Sequence, residues 1–403
     1  MTTNVLAPAT QAAATGAGIA CESDSIATVP LAEERAFAYW QQDIPAEYWR
    51  LAPDELTARI RAARRALRTR AIILGHHYQR EDVIAFTDEK GDSFKLARWA
   101  AGHPESEYIV FCGVHFMAEA ADILSAPHQK VVLPNMAAGC SMSDMADPDD
   151  VYSAWAEMEE IGIAQDTLPI TYINSAAALK AFVGAHGGAV CTSSNARKVL
   201  EWAFGQKKRV LFFPDQHLGR NTGYAMGVPL DQMVLWGWAR PYGSMGGQTR
   251  EALERSRVIL WAGHCSVHQR FTPEQVADAR RKHPGVIVVV HPECRLETVR
   301  AADLNGSTEF IARTVAEAPG GSTIAIGTEI NLVSRLAKEH PDKTVFCLDP
   351  VVCPCSTMYR VHPAYLAWTL ESLAAGRVVN QIVVPEEIAR DARLALDRML
   401  AIT

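Results

Sequence analysis

With 403 residues, 48% of them hydrophobic and 21% charged, the chain has the composition of a globular protein large enough for two or three cores, which excludes a wholly disordered or fibrous chain. A formal net charge of -7, with no basic stripe carrying interleaved aromatics, argues against nucleic-acid binding and for a small-molecule partner. The nine cysteines are odd in number and scattered, so they form no disulfide framework. The N-terminal stretch has neither a basic region nor a long apolar core, so a cytoplasmic protein with reduced thiols and no membrane span is expected.

Residues 1–30, rich in alanine and threonine, read as a disordered tail, and 31–70 as a helical extension. In that extension Pro53-Asp54-Glu55-Leu56 opens a helix along which Ile60, Ala63 and Leu67 recur at helical spacing. Ala71 to Gly75 is a buried strand running into His76-His77-Tyr78-Gln79. The unit it opens, 71–150, continues through a strand from Tyr108 to Gly113, a helix from Phe116 to Leu124 and a strand from Lys130 to Pro134 that leads to Cys140. A second unit, 151–270, starts with the strand Ile170 to Asn174 and ends with Val258 to Ala262 running into Gly263-His264-Cys265. Its Gly- and Trp-rich segment, about 217–256, reads as an insertion or lid. A third unit, 271–403, starts at Val286 to Val290 with His291-Pro292-Glu293 behind it, reaches Val345-Phe346-Cys347 with Cys353 and Cys355 just after, and closes in C-terminal helices. Strands alternating with helices predict parallel sheets, in which ligands sit beyond the carboxyl ends of the strands.

The units repeat. His76 and Cys140 stand 64 residues apart, as do His291 and Cys355, while Tyr172 and Cys265 stand 93 apart with the insertion between them. Each unit carries a polar pair at i and i+2 after its first strand: His76 and Tyr78, Tyr172 and Asn174, His291 and Glu293. In extended chain such a pair faces one side. Each unit also carries a hydroxyl where a helix begins, at Ser93, Ser193 and Thr308, and a terminal cysteine. Three such units about a pseudo-threefold axis would gather these groups in one place. Three converging thiolates could then hold a cubane cluster by three of its irons, leaving the fourth open as a Lewis acid. Zinc is the rival, with His264, Cys265 and His268 as candidate ligands. Hydroxyls at helix N-termini suit carboxylate or phosphate groups, so the substrate should be anionic, with His76, Tyr78, His291 and Glu293 as acid and base candidates.

Gly75-His76-His77-Tyr78, Gly91-Asp92-Ser93, Tyr172-Ile173-Asn174-Ser175, Cys191-Thr192-Ser193, Gly263-His264-Cys265-Ser266-Val267-His268-Gln269, His291-Pro292-Glu293-Cys294 and Gly306-Ser307-Thr308 are the motifs through which the chain, from about Ile72 to Pro385, resembles the quinolinate synthase family. The resemblance implies three pseudo-symmetric three-layer α/β/α domains, each with a four-stranded parallel sheet, around a central active site. It implies condensation of iminoaspartate with dihydroxyacetone phosphate in de novo NAD biosynthesis, an oxygen-sensitive 4Fe-4S cluster on Cys140, Cys265 and Cys355, and a functional link to the enzyme that supplies iminoaspartate. Substrate contacts carried over by position are His76, Ser93, Tyr172, Ile173, Asn174, Ser193, His291, Pro292, Glu293 and Thr308, with His268 as a phosphate-binding histidine. Tyr78 and Glu293 lead the catalytic groups, with His76 and His291 beside them.

Other residues call for plainer roles. Cys112, Cys191 and Cys347 read as buried inert thiols, Cys294 should face away from Glu293, and His77 is structural because it points opposite to its neighbours. Asp92 suits a helix cap, and Met117, Trp236 and Trp238 suit packing. Cys355 is preferred over Cys353 as the third ligand because it keeps the 64-residue period. Two other function classes remain open on the sequence: a zinc-binding structural or regulatory protein, and a non-catalytic carboxylate or phosphate binder.

Overall fold

The computed structural model describes residues 44–351 and 354–402, so the expected N-terminal tail and Cys353 lie outside the described residues. The extension before the first sheet is a short 3-10 turn, Ala46–Arg50, and a helix, Pro53–Leu67, that buries Leu56, Ile60, Ala63 and Leu67 and leaves its arginines outward.

Three sheets follow. The first holds β1 (Ala71–His76), β2 (Glu89–Gly91), β3 (Tyr108–Cys112) and β4 (Lys130–Val132). The second holds β5 (Thr167–Tyr172), β6 (Ala189–Cys191), β7 (Arg209–Phe213), β8 (Met233–Trp236) and β9 (Val258–Trp261). The third holds β10 (Ile287–Val290), β11 (Leu304–Asn305), β12 (Thr323–Gly327) and β13 (Thr344–Cys347). Strand β14 (Gln381–Ile382) returns to the edge of the first sheet, giving the orders β14-β4-β3-β1-β2, β6-β5-β7-β9-β8 and β11-β10-β12-β13. All neighbours are parallel except β14, which runs antiparallel to β4. With helices between successive strands, the chain is an α/β protein of three parallel-dominated sheets flanked by helices.

Two details depart from four strands per sheet. In the segment expected as a lid, the apolar run Met233–Trp236 is an edge strand whose Met233 pairs with Val258, and Trp236 packs over Gly246, which has φ 60° and no Cβ in the way. The run is buried because it extends an existing apolar sheet instead of standing over a cleft. The chain beyond Met358, assigned above to the third unit, packs on the other two. Helix Pro363–Ala374 lies on Pro53–Leu67, β14 closes the first sheet, and helix Glu386–Ala401 lies on helix Ala177–Ala185 of the second unit. One continuous core therefore joins the first two sheets and the C-terminal helices, while the third sheet has a separate core on each face.

Register explains why the sequence offsets recur. His76 pairs with Gly91, Tyr172 with Cys191, and Val290 with Asn305, so in each unit the end of the first strand lies beside the turn that opens the next helix. Backbone bonds seal these junctions: His77 N–H to Gly91 O at 3.1 Å, Ile173 N–H to Cys191 O at 2.8 Å and Gly306 N–H to Val290 O at 3.1 Å. Polar pair and helix-opening hydroxyl are thus held side by side three times over.

Candidate active site

A cavity of about 620 Å³, open solvent at its entrance included, lies where the carboxyl ends of the three sheets meet. It is lined by His76, Tyr78 and Ser93 from the first unit, by Tyr172, Ile173, Asn174 and Ser193 from the second, and by His291, Glu293 and Thr308 from the third. Cys140, Cys265 and Cys355 reach the same cavity from the loops after β4, β9 and β13.

Both leading histidines are set the same way. The backbone N–H of Tyr78 donates to His76 Nδ1 at 3.1 Å, and that of Glu293 donates to His291 Nδ1 at 3.3 Å. An accepting Nδ1 places the proton of a neutral ring on Nε2. Burial, reinforced by the neighbouring His77, lowers His76 well below the usual range, and burial takes His291 down to about 3 against the pull of Glu293.

Tyr78 and Glu293 sit on either side of His268. The Tyr78 hydroxyl is 2.7 Å from Thr328 Oγ1 and 3.4 Å from His268 Nε2, and His268 Nδ1 lies 2.7 Å from Glu293 Oε2, close but poorly aligned for a hydrogen bond. Burial and the Glu293 charge hold the Tyr78 and Tyr172 phenols well above their ordinary value, so both keep their protons. Burial works against an anion at Glu293, but His291, His268 and the Tyr172 hydroxyl outweigh it and keep the carboxyl ionised. The site therefore holds neutral proton donors and an anionic acceptor across the neutral range.

Two expected contacts stand elsewhere. His268 is fully buried and lines no part of the cavity; it stacks on His291 with centroids 4.5 Å apart and acts through Tyr78 and Glu293. Pro292 turns its carbonyl to Asn221 Nδ2 at 2.8 Å, because the turn after β10 points its two neighbours into the cavity and Pro292 away. Asp92 both caps its helix, accepting from Lys95 N–H at 2.8 Å, and accepts from Ser194 Oγ at 2.6 Å at the cavity wall. His77 turns away to Glu309 Oε1 at 2.8 Å and Arg335, as a structural histidine would. Cys112, Cys191 and Cys294 are buried, with thiols raised by desolvation, and Cys294 Sγ faces Gly327 O. Sequence reasoning missed Thr328 and Thr357, single hydroxyls without a repeat partner, and Phe116, whose ring reads as core.

The donor set suits an iron-sulfur group. Three soft sulfur donors face one space, near enough that the Cys355 charge raises Cys140, and burial pushes Cys140 to about 12 and lifts Cys265 and Cys355 above their ordinary value. Such thiols give up their protons only to a strongly cationic group. Among the described residues the buried Thr308 Oγ1 has no hydrogen-bond partner, as expected of a hydroxyl that waits for a ligand. Of the rival zinc candidates His264, Cys265 and His268, only the last two come together: among the described residues their ligand atoms and that of Glu293 lie within 4.8 Å of one another, without His264.

The family described as quinolinate synthetase A protein matches residues 58–401, from the first helix to the last. The chain belongs to the quinolinate synthetase A family. Quinolinate synthase of Corynebacterium glutamicum is 59% identical over 367 residues, covering 91% of this chain and 92% of that protein. Those of Anoxybacillus flavithermus and Streptomyces coelicolor are 52% and 55% identical over 358 and 351 residues, covering 89% and 86% of this chain and 96% and 88% of theirs. As a member of the quinolinate synthetase A family the chain is an enzyme, and no helix among its described residues is long and apolar enough to cross a membrane.

Proposed function

We propose that this enzyme condenses iminoaspartate with dihydroxyacetone phosphate to form quinolinate, releasing phosphate and water, in de novo NAD biosynthesis in the cytoplasm. The observation that carries this function is the meeting of Cys140, Cys265 and Cys355 with helix-opening hydroxyls and an acid/base set in one cavity. The three cysteines would hold a 4Fe-4S cluster, which when bound supplies an open iron as a Lewis acid toward a substrate carboxylate or hydroxyl.

The rest falls to the chain. Ser93 and Thr308 open helices whose free N–H groups and positive ends favour substrate carboxylates, with Asn174 and Ser193 opposite. His76 and His291 offer Nε2–H donors to carbonyl or carboxylate oxygen. Glu293, as the anion, accepts a proton from the substrate, and Tyr78, as the neutral phenol, donates one to the departing hydroxide. His268, between Tyr78 and Glu293, provides the route by which the two exchange protons and return to their starting states. The enzyme that supplies iminoaspartate is the expected functional partner.

Anaerobic reconstitution with iron and sulfide, followed by an assay with dihydroxyacetone phosphate and iminoaspartate generated in situ, should yield quinolinate. No product from a fully loaded chain would overturn the assignment. The grouping of Cys265, His268 and Glu293 favours one rival, a zinc-binding structural or regulatory protein. Colourless protein containing zinc and no sulfide after anaerobic purification would decide for that rival.

A further inference from the structure

Each thiol-bearing loop leaves the strand beside the third strand of its unit, and the second residue past that third strand caps a helix. After β3 that residue is Val114, after β7 it is Asp215, and after β12 it is Glu329. Asp215 and Glu329 are fully exposure-free, and among the described residues neither meets an arginine or lysine in an ion pair. Capping alone would not require an acid there, since Thr249, Thr272 and Ser307 cap other helices in this chain with a single hydroxyl.

What the carboxyls also do is face the cysteine loops. Glu329 Oε2 accepts from Asn331 N–H at 2.8 Å, while Oε1 accepts from Asn331 Nδ2 at 2.8 Å and from the backbone N–H of Cys355 at 3.2 Å. Three donors converge on one buried carboxyl group, which burial pushes up to about 7. The same Asn331 Nδ2 reaches the Tyr78 carbonyl at 3.3 Å, and neighbouring Thr328 holds the Tyr78 hydroxyl, so Cys355 and Tyr78 hang from one short segment. In the second unit Asp215 Oδ1 accepts from Leu218 N–H at 2.6 Å, while Oδ2 is buried with no hydrogen-bond partner among the described residues, and the nearby Cys265 backbone N–H favours charge on the carboxyl without closing a hydrogen bond to it. The loop is pressed onto this segment: Gln216 N–H donates to Gly263 O at 3.0 Å, and a Cβ on Gly263 would strike the Pro214 carbonyl. In the first unit a different device serves. Asn135 Oδ1 accepts from Ala137 N–H at 2.9 Å, and Arg360 Nη1 donates to Ala137 O at 3.0 Å.

We propose that Glu329 and Asp215 are positioning residues at matching places in two units, Glu329 holding the Cys355 backbone by a hydrogen bond and Asp215 anchoring the segment against which the Cys265 loop is pressed, so that both sulfurs meet one cluster. This rests on the three cysteines being cluster ligands, as proposed above. Groups that orient metal ligands from behind typically change metal affinity by about 10- to 100-fold when altered. In Glu329→Gln the volume is kept but an N–H donor is turned toward other N–H donors, and Asp215→Asn does the same at the second loop.

The full-length chain and its variants are reconstituted anaerobically with iron and sulfide. Iron and sulfide per chain, the electron paramagnetic resonance signal of the reduced cluster, and the rate of bleaching by an iron chelator are then compared. Both variants should fold as wild type by circular dichroism in the apo form, lose the cluster about 10-fold or more faster, and show a shifted resonance signal. Thr249→Ala, which removes the cap of helix Arg250–Arg255 ahead of β9 and away from the cysteine loops, should change none of these. Wild-type retention and signal in both variants would overturn the proposal. So would apo variants that fail to fold, since the carboxyls would then be fold determinants. If the wild type takes up no cluster at all, the function proposed above fails instead.

Discussion

Tyr78 shows how tightly a single residue is specified here. Its backbone N–H donates to His76 Nδ1, its carbonyl accepts from Asn331 Nδ2, its ring meets His76 edge-on with centroids 4.8 Å apart, and its hydroxyl lies 2.7 Å from Thr328 Oγ1. The ring is fixed by contacts that do not involve the hydroxyl, so Tyr78→Phe deletes the proton donor and little else. Loss of a general acid typically lowers turnover about 10²- to 10⁴-fold. A Phe variant should therefore show a fall of that size in kcat in the reconstituted enzyme, with KM for dihydroxyacetone phosphate and the melting temperature close to wild type. A Phe variant that turns over normally would remove Tyr78 from proton transfer. The polar pairs that lead to this residue were legible in the sequence because the offset of two repeats three times. Glu329 and Asp215 were not, because in sequence each looks like an ordinary helix cap, and the cysteine loop that gives it meaning lies some 26 to 50 residues away.

At the scale of elements, sequence periodicity carried the strand-helix alternation and the first-strand turns, because a buried parallel strand is an apolar run and its ligand-facing turn is polar. It did not carry sheet membership at the edges. The run Met233–Trp236 is as apolar as the strands around it, but nothing local tells a lid from an edge strand, and Gln381–Ile382 is too short to show any period. Nor could it tell which unit the last helix joins, since an amphipathic face specifies burial and not its partner. The partner is chosen by fit: at Gly184 in helix Ala177–Ala185, a Cβ would land on the Asp391 carbonyl of helix Glu386–Ala401, and Arg398 Nη1 donates to Gly184 O at 3.1 Å and Gly188 O at 2.7 Å. Gly184→Ala should therefore separate the two helices and lower stability by roughly 1–3 kcal/mol, the usual cost of overpacking. The check is the denaturation midpoint at unchanged m-value. An unchanged midpoint would mean that the helices slide without cost.

Across the whole molecule, the C-terminal segment ties the thiol loops to the rest of the fold. Asn380 Nδ2 donates to Pro134 O at 2.9 Å and Leu133 N–H to Asn380 O at 3.1 Å, bracing the start of the loop that ends at Cys140. Farther on, Val384 N–H donates to Asp122 Oδ2 at 2.9 Å, and the last helix buries Ala392, Ala395, Leu396 and Met399 completely. Ending the chain at Gly376 would expose the burial sites of Val379, Ile382, Val384, Leu396 and Met399, at roughly 1.5–3 kcal/mol for each side chain. Their sum is comparable to the roughly 5–15 kcal/mol by which a folded domain is stable at all. It would also bare the β4 edge and the apolar face of helix Ala177–Ala185, in the core that the first two units share. Because that core is continuous, the damage should not stay local: the truncated chain should show no cooperative unfolding transition by circular dichroism and should take up no iron and sulfide. A soluble truncated chain that melts like the full one would mean that the three sheets stand without their C-terminal brace, and that Cys140 is held by its own loop and Arg360 alone.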